Sequence, residues 1–483
     1  MTDSHSLKST HPTLLTKPII FAFLLSLIYW AYLFFSSQMQ ISADAIGYER
    51  LGSLLYHQGL TEYLKQGPTR EPLYPWTISV SMSLGDFFHL SYQTFQKSFQ
   101  LIILLLTQIL VLKTLERMKA SVTACFVAVL YCGLSPVMVN AALSLYSEIL
   151  TFPLLAGIIL TTSLLWEKLH SDRTVKIVLF SVLLSLLLTL MTSVKAIFEY
   201  IGLLFLLPFV FLFCYAAFKK NWKLLVNTLL ALIFVAGIHQ GAAAFYKHLN
   251  QKYNGHYAFT DRGSWLLYGS TARRLQPLNR HKIMTLVSTI PGEGVCQSFF
   301  DPQDCEYWHF KTSDGLGWKK VNELKGMGTP EEKIDSALID AAKSEALKNP
   351  LQYCFLMGLE SFRMFFFEST QIGFVAYPNW LARTFEFTLF KNGLRLIMSL
   401  LTFFSLFYLI TFLWQRRKDM LTTPQNDFET TFIFFLLVMI FSYIVMHSLV
   451  SIVVRFAIPL SVLYLICIAY TLESLQRKCQ NHH

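Results

Sequence analysis

The chain has 483 residues, of which 54% are hydrophobic and only 14% charged, with a formal net charge of +10. A soluble globular chain carries about a quarter charged residues, so this composition excludes a string of soluble domains and points to an all-α polytopic membrane protein. The positive balance does not indicate nucleic-acid binding, because no nucleic-acid motif or fold pattern accompanies it.

A helix needs about 20 mostly apolar residues to cross a bilayer, since backbone groups in lipid must bond within their own segment. Ten runs meet this, centred near Leu25, Leu105, Ala128, Gly157, Leu186, Leu206, Leu230, Phe403, Phe435 and Leu463. The first, from Pro18 to Phe35, is too long for a signal-peptide core and lacks a small-residue cleavage site, so it reads as a retained helix. Basic residues gather as Lys113/Arg117/Lys119, Lys168/Arg173/Lys176, Lys219/Lys220/Lys223, Arg416/Arg417/Lys418 and Arg477/Lys478. They alternate with turns around Ser144 and Ser451 that carry almost none. The positive-inside rule then predicts cytoplasmic termini and basic turns. The expected setting is a plasma membrane of the bacterial inner-membrane type rather than the endoplasmic reticulum. Three divisions follow: an N-terminal transmembrane module (1–245) with a first outer loop (38–96), an outer region (246–371), and C-terminal transmembrane helices (372–483).

Within the first outer loop, Ser42 is placed to cap a helix that carries Asp44 in its first turn and runs to about Gln58. Pro72 to about Phe87 reads as a second, short aromatic helix. In the outer region, Thr329-Pro330-Glu331-Glu332 has the form of a capping box with proline at the first helical position. The helix it opens aligns Ile334, Leu338, Ala342 and Ala346 and stops near Asn349-Pro350. Leu351 to Gln371 is long enough to cross, but a crossing there would put Arg416-Arg417-Lys418 outside. At helical spacing Glu360, Arg363, Glu368 and Gln371 share one polar arc. The segment therefore reads as an amphipathic helix in the outer interface, with a tilted span as the alternative.

Cys296 and Cys305 share the outer region, with Asp301-Pro302 as a turn between them, and an oxidising compartment favours their disulfide. Cys125, Cys132, Cys214, Cys354 and Cys467 lie in apolar runs and read as small buried residues, and Cys479 falls in the cytoplasmic tail. No cysteine–histidine spacing suggests zinc.

The chemistry-bearing residues lie at span ends. Asp44 follows the first span, with Tyr48 one turn further on the same face, and Glu148 stands where the fourth span begins. As the first acid of a helix, Asp44 has an ordinary explanation in the helix dipole. A carboxylate entering a membrane helix, in contrast, needs a solvated cavity or a partner. Arg70, Glu71, Lys195, Arg363 and Arg455 fall on the same predicted side. Snorkelling to headgroups is an alternative for Lys195 and Arg455. Acids and cations together at a lipid interface suit the transfer of a sugar from a polyprenyl phosphate. A carboxylate deprotonates the attacking hydroxyl while cations stabilise the leaving phosphate.

Asp44-Ala-Ile-Gly-Tyr48 after the first span and Arg70-Glu71-Pro72-Leu-Tyr74-Pro75 before the second are followed by Ser147-Glu148 at the fourth and Arg455-Phe-Ala-Ile-Pro459 at the last. This order resembles the GT-C membrane glycosyltransferases, in particular the branch of protein O-mannosyltransferases and lipid A aminoarabinose transferases. The likeness covers the first 200 or so residues and the final span, and departs from the family where Ala45, not a second acid, follows Asp44. It implies that Asp44 is the catalytic acid of the first loop, that Glu148 is the second acid, and that Arg70-Glu71 helps form the donor site. On this reading the chain is an inverting hexosyl- or pentosyltransferase with Asp44 as general base and Glu148 orienting acceptor or base. Arg70, Lys195 and Arg455 would be phosphate contacts, with Arg363, Glu71, Tyr48 and Tyr74 completing substrate binding. The partners would be membrane lipids, a polyprenyl-phosphate sugar and a lipid, glycan or protein acceptor, with no nucleic acid. No metal is required, although Asp44 with Glu148 could hold a divalent ion weakly. The rival readings are an O-antigen polymerase or ligase, using Arg262, Arg273, Arg274 and Arg280 for a lipid pyrophosphate, and a lipid or solute transporter.

Overall fold

Runs of apolar residues in lipid can satisfy their backbone only as helices, and this chain is an all-α, multi-pass membrane protein. The computed structural model describes residues 16–67, 69–170, 174–368, 373–422 and 428–481. Among them, nine helices are long and apolar enough to cross: Lys17–Ser36, Tyr92–Arg117, Glu148–Leu169, Thr174–Val194, Phe198–Phe218, Trp222–Asn254, Thr388–Arg417, Phe428–Val450 and Val454–Gln480. A bent pair, Val122–Leu134 with Pro136–Leu143, turns by 45°; counted as one broken span it is the third in chain order and brings the number to ten. Pro136 causes the bend, since proline lacks the N–H and pushes the preceding Ser135 to an extended ψ of 126°.

The fourth and tenth spans form the middle of the bundle, with Phe152, Leu155, Ile158, Tyr464 and Ile466 fully buried. Phe35, Val175, Phe211 and Phe407 project from other spans, a surface that suits lipid and not water. The basic turns gather at one end. There Arg117 pairs with Glu167 at 2.9 Å, Arg477 donates to the carbonyl of Lys119, and Arg416 donates to Thr430. Arg173 lies outside the described residues. The loops after the first, third and fifth spans, and the turn before the tenth, meet at the opposite end, called here the loop end.

Two short helices, Asp44–Lys65 and Leu73–Phe88, pack on each other at the loop end. They approach closely because residue 52 is glycine: a Cβ there would lie 2.5 Å from the Ile78 side chain. Gln38–Met39 pairs antiparallel with Val375–Ala376, which ties the start of the first loop to the chain after the loop region.

The loop region consists of Gly263–Arg274, Arg280–Thr289, Phe310–Gly326, Glu331–Lys348 and Pro350–Ser361, with shorter turns between. Ile334 and Leu338 pack with Val321 over Trp265, and Trp308 is buried with Leu286 and Leu356. Gly269 lets two of these helices cross, since a Cβ there would fall 1.9 Å from the Ser313 carbonyl oxygen. Cys296 and Cys305 are joined by a disulfide with Cα atoms 5.9 Å apart.

Several sequence expectations need correction. Ser42 does not cap the first loop helix: Ala43 is the residue at that position, with φ of +50°, and no side chain caps it. The helix also runs beyond Gln58, through a break at Gly59, to Lys65. No capping box forms at Thr329, because the helix begins at Glu331 and Pro330 precedes it. Ala346 is only half-buried, whereas Ile334, Leu338 and Ala342 are buried. The division at residue 245 falls inside the seventh span, whose 33-residue helix continues to Asn254. That is about 50 Å of helix, well beyond a hydrocarbon core of about 30 Å.

The described part of Leu351 to Gln371 forms no spanning helix, and its polar arc faces buried protein while Leu351 and Phe355 stay exposed. Its helix has 12 residues, Pro350–Ser361, and ends in a 3₁₀ turn at Phe362–Phe365. Glu360, Arg363 and Glu368 are all buried, while Gln371 lies outside the described residues. Of the cysteines read as buried, Cys214 and Cys354 are exposed.

Candidate functional site

The first loop enters its helix abruptly. The residue before Asp44, Ala43, takes a left-handed φ of +50°, and the hydroxyl of Tyr146 donates to the Ser42 carbonyl at 3.4 Å. Asp44 is thereby turned toward two guanidiniums from distant parts of the chain. Arg70 donates from Nη2 to Oδ1 at 2.5 Å, and Arg455 donates from Nη2 to Oδ2. Arg455 sits on the 3₁₀ turn Val454–Leu460, which the Tyr443 hydroxyl holds by donating to the Phe456 carbonyl at 2.8 Å.

Arg455 also joins the two acids, because its Nε lies 3.4 Å from Glu148 Oε1. Lys195 Nζ donates to the same Glu148 oxygen at 3.1 Å. The other oxygen, Oε2, is buried and accepts no hydrogen bond among the described residues. Lys195 and Arg455 thus turn inward and are not snorkelling to headgroups. Glu71 contributes through position: its Oε1 accepts the backbone N–H of Ala196 at 3.1 Å, fixing the turn that carries Lys195.

Aromatic rings hold the cations in place. The Arg70 guanidinium lies 5.0 Å from the centre of the Tyr48 ring and that of Arg455 lies 5.1 Å from the Tyr146 ring. Tyr48 meets Tyr74 edge to face at 4.9 Å and shares a 3.1 Å hydrogen bond with Ser147. Tyr74 donates to Gln100 Oε1 at 2.6 Å, and Gln100 in turn donates to the carbonyls of Ala142 and Ser144. The turn ahead of Glu148 is therefore anchored to the second span. Gln100, Tyr146 and Tyr443 were not singled out from the sequence. Gln100 had a usable signal, a polar residue inside an apolar span, whereas the two tyrosines had none.

The electrostatics of Asp44 are set by competition. Burial works to raise its pKa, but the Arg455 and Arg70 guanidiniums outweigh burial and hold it at about 2, below the ordinary 3.8. Arg455 stands where an ion bridging Asp44 and Glu148 would sit. Among the described residues, no group of three or more His, Cys, Asp or Glu side chains could hold a metal ion.

Arg363 is not part of this cluster. It donates to the Trp308 carbonyl at 2.9 Å and to the Thr289 hydroxyl, deep in the loop region. Arg273 and Arg274, candidates for a pyrophosphate site, are buried on Glu360, with Arg274 Nη2 2.7 Å from its carboxylate.

An apolar groove of about 560 Å³ lies between the helix Leu73–Phe88 and the second, fourth and fifth spans. Its lining starts at Leu73 and Leu150, each two residues beyond an acid of the site, and passes Pro153 and Gly157 to Leu164. No protein-family model matches the chain, and no curated protein matches it significantly, so the site's own geometry has to carry any functional reading.

Proposed function

We propose that the chain is an inverting glycosyltransferase that moves a sugar from a polyprenyl-phosphate donor to an envelope lipid, glycan or protein acceptor, at the face of the membrane where the loop end lies. The observation that carries this reading is the convergence of Asp44, Glu148, Arg70, Lys195 and Arg455 from five separate segments into one linked cluster. An apolar groove beside that cluster gives a prenyl chain a place to lie while its phosphate reaches the cations.

In the reaction, the acceptor hydroxyl oxygen attacks the anomeric carbon and gives its proton to a carboxylate. The bond from that carbon to the phosphate oxygen breaks, and its electron pair stays on the leaving polyprenyl phosphate. Guanidinium and ammonium groups aimed at the oxygens where charge develops lower the barrier. Asp44 and Glu148 are the two carboxylates available for the proton. The resemblance to GT-C transferases supports the same roles for Asp44, Glu148 and Arg70-Glu71.

The test is sugar transfer from a mixed pool of polyprenyl-phosphate sugars, in membranes with and without the protein. Transfer that depends on the protein supports the proposal. Failure of every lipid-linked donor would favour a transporter. The polymerase or ligase reading keeps Arg262 and Arg280 for its pyrophosphate, whereas Arg273 and Arg274 are tied to Glu360.

A further inference from the structure

Asp44 is bound in a way that conflicts with the role of a base. Both of its oxygens accept charge-assisted hydrogen bonds, one from Arg70 and one from Arg455. A general base works best when its pKa lies near the operating pH, and a carboxylate clamped between two guanidiniums is a weak one. Either Asp44 is not the base, or something must take the arginines from it.

Resting on the glycosyltransferase reading, we infer that Arg70 and Arg455 form a phosphate subsite in which Asp44 is the resident counter-ion, and that the donor's phosphate frees Asp44 by replacing it. Three observations support the exchange. The two arginines come from different segments, the first loop and the turn before the last span, and converge on one carboxylate. Each guanidinium rests on a tyrosine ring, so its place does not depend on Asp44. The pair also remains reachable: the Arg70, Asp44 and Arg455 side chains are 12%, 20% and 21% exposed. Guanidinium geometry matches phosphate as well as carboxylate, in paired parallel hydrogen bonds.

The order of events follows. With no donor, Asp44 is paired and cannot deprotonate water or acceptor. A seated phosphate draws Arg70 and Arg455 onto its oxygens and leaves the Asp44 carboxylate free. The acceptor then gives its hydroxyl proton to Asp44 as its oxygen bonds to the anomeric carbon. The carbon–oxygen bond to the phosphate breaks, and the electron pair left on that oxygen falls beside the two guanidiniums. Glu148 keeps Lys195 throughout, through the separate contact at Oε1. The base thus becomes competent only when the donor is present.

The experiment measures binding of farnesyl phosphate to the full-length protein in nanodiscs, with farnesol as the uncharged control. A resident counter-ion lowers apparent affinity by the fraction of sites it occupies. Asp44→Asn should therefore bind farnesyl phosphate about tenfold more tightly than wild type, the scale of the two accessible ion pairs it releases. Glu49→Gln removes the same charge from the same helix, where Glu49 accepts the Tyr92 hydroxyl, and should shift affinity by less than about twofold. Arg70→Ala and Arg455→Ala should each weaken binding. If wild type binds and both arginine variants weaken it, but Asp44→Asn binds equally or less tightly, the exchange is overturned while the transferase reading stands. If wild type binds farnesyl phosphate no better than farnesol, both are overturned. Loss of folding in both Asp44→Asn and Asp44→Ala would make the pair a framework contact and would also overturn the exchange.

Discussion

Two knots of arginine and carboxylate stand in this molecule, and their difference separates a framework from a site. In the loop region, Glu360 takes Arg273 on one oxygen at 2.5 Å and Arg274 on the other at 3.0 and 2.7 Å. Arg273 continues to the carbonyls of Trp308 and His309, and Arg363 reaches Trp308 from the other side. The side chains of Arg273, Arg274 and Glu360 are 2%, 0% and 0% exposed. At the loop end of the membrane bundle, Asp44 takes Arg70 and Arg455 in the same manner, yet all three side chains stay partly exposed. Unused hydrogen-bonding capacity does not distinguish the two, since Arg273 Nε and Arg363 Nε also lack partners. Access does. A sealed ion cluster can only hold helices together, whereas an accessible one can exchange partners with a ligand.

The strongest way to break this contrast is at Asp44. Asp44→Asn keeps the size of the side chain and removes its basicity, so sugar transfer should fall by roughly 10²–10⁴-fold while expression persists and farnesyl phosphate binding tightens. Glu148→Gln should lower transfer as well, because it removes the second carboxylate of the cluster and the charge that faces Lys195. Wild-type transfer rates in Asp44→Asn would remove Asp44 from the chemistry and make the two knots equivalent.

Glu360→Gln should act oppositely, on stability and not on chemistry. It leaves Arg273 and Arg274 buried without a counter-ion, a change that typically costs about 3–5 kcal/mol. Trypsin resistance of the loop region and its thermal unfolding should report that loss. A variant that stays folded but no longer transfers sugar would move Glu360 into the site.

The sequence made one knot legible and concealed the other. Asp44, Glu148, Lys195 and Arg455 are polar residues at the ends of apolar runs, where lipid tolerates them only with partners, so their convergence could be anticipated. Which cation serves which acid could not, because that depends on how the first loop and the last span approach in three dimensions. Arg363 was misread for a specific reason. A helical wheel places Glu360, Arg363 and Glu368 on one arc, but the helix gives way to a 3₁₀ turn at Phe362, and a wheel cannot tell an arc facing water from one facing buried protein. Ser42 carried a good capping signal, overridden when the chain turned through Ala43 to deliver Asp44. The ten apolar runs needed no tertiary information, because their length and composition alone leave no other fold in lipid.

Acid sharpens the contrast further. Burial pushes the Glu360 carboxyl up, but Arg273 and Arg274 outweigh it and hold the group at about 2, against an ordinary 4.5. A depressed carboxyl contributes stability that is present above its unfolded pKa and lost as pH falls through the folded one. The loop region should therefore lose about 3 kcal/mol between roughly pH 4.5 and pH 2. In Glu360→Gln that acid-dependent step should shrink, while the wild-type step should be unaffected by farnesyl phosphate. A step that moves when ligand binds would show that the two knots are linked.

The smallest expected effect comes from the disulfide. Cys296 and Cys305 are both buried, and the Cys296–Cys305 bridge closes the segment between Thr289 and Trp308, the two residues on which Arg363 rests. A ring of this size stabilises by about 2–3 kcal/mol, chiefly by restricting the unfolded chain. Replacing both cysteines by serine should lower the unfolding temperature of the loop region and admit protease between Ser298 and Pro302. The membrane bundle should unfold as before, since its helices are held by lipid and by their own packing. Farnesyl phosphate binding should also stay within about twofold of wild type, because Arg70 and Arg455 are anchored on Tyr48 and Tyr146 and touch neither cysteine. If binding instead falls in step with the loop region's stability, then the framework knot positions the reactive one, and access alone would no longer account for their difference.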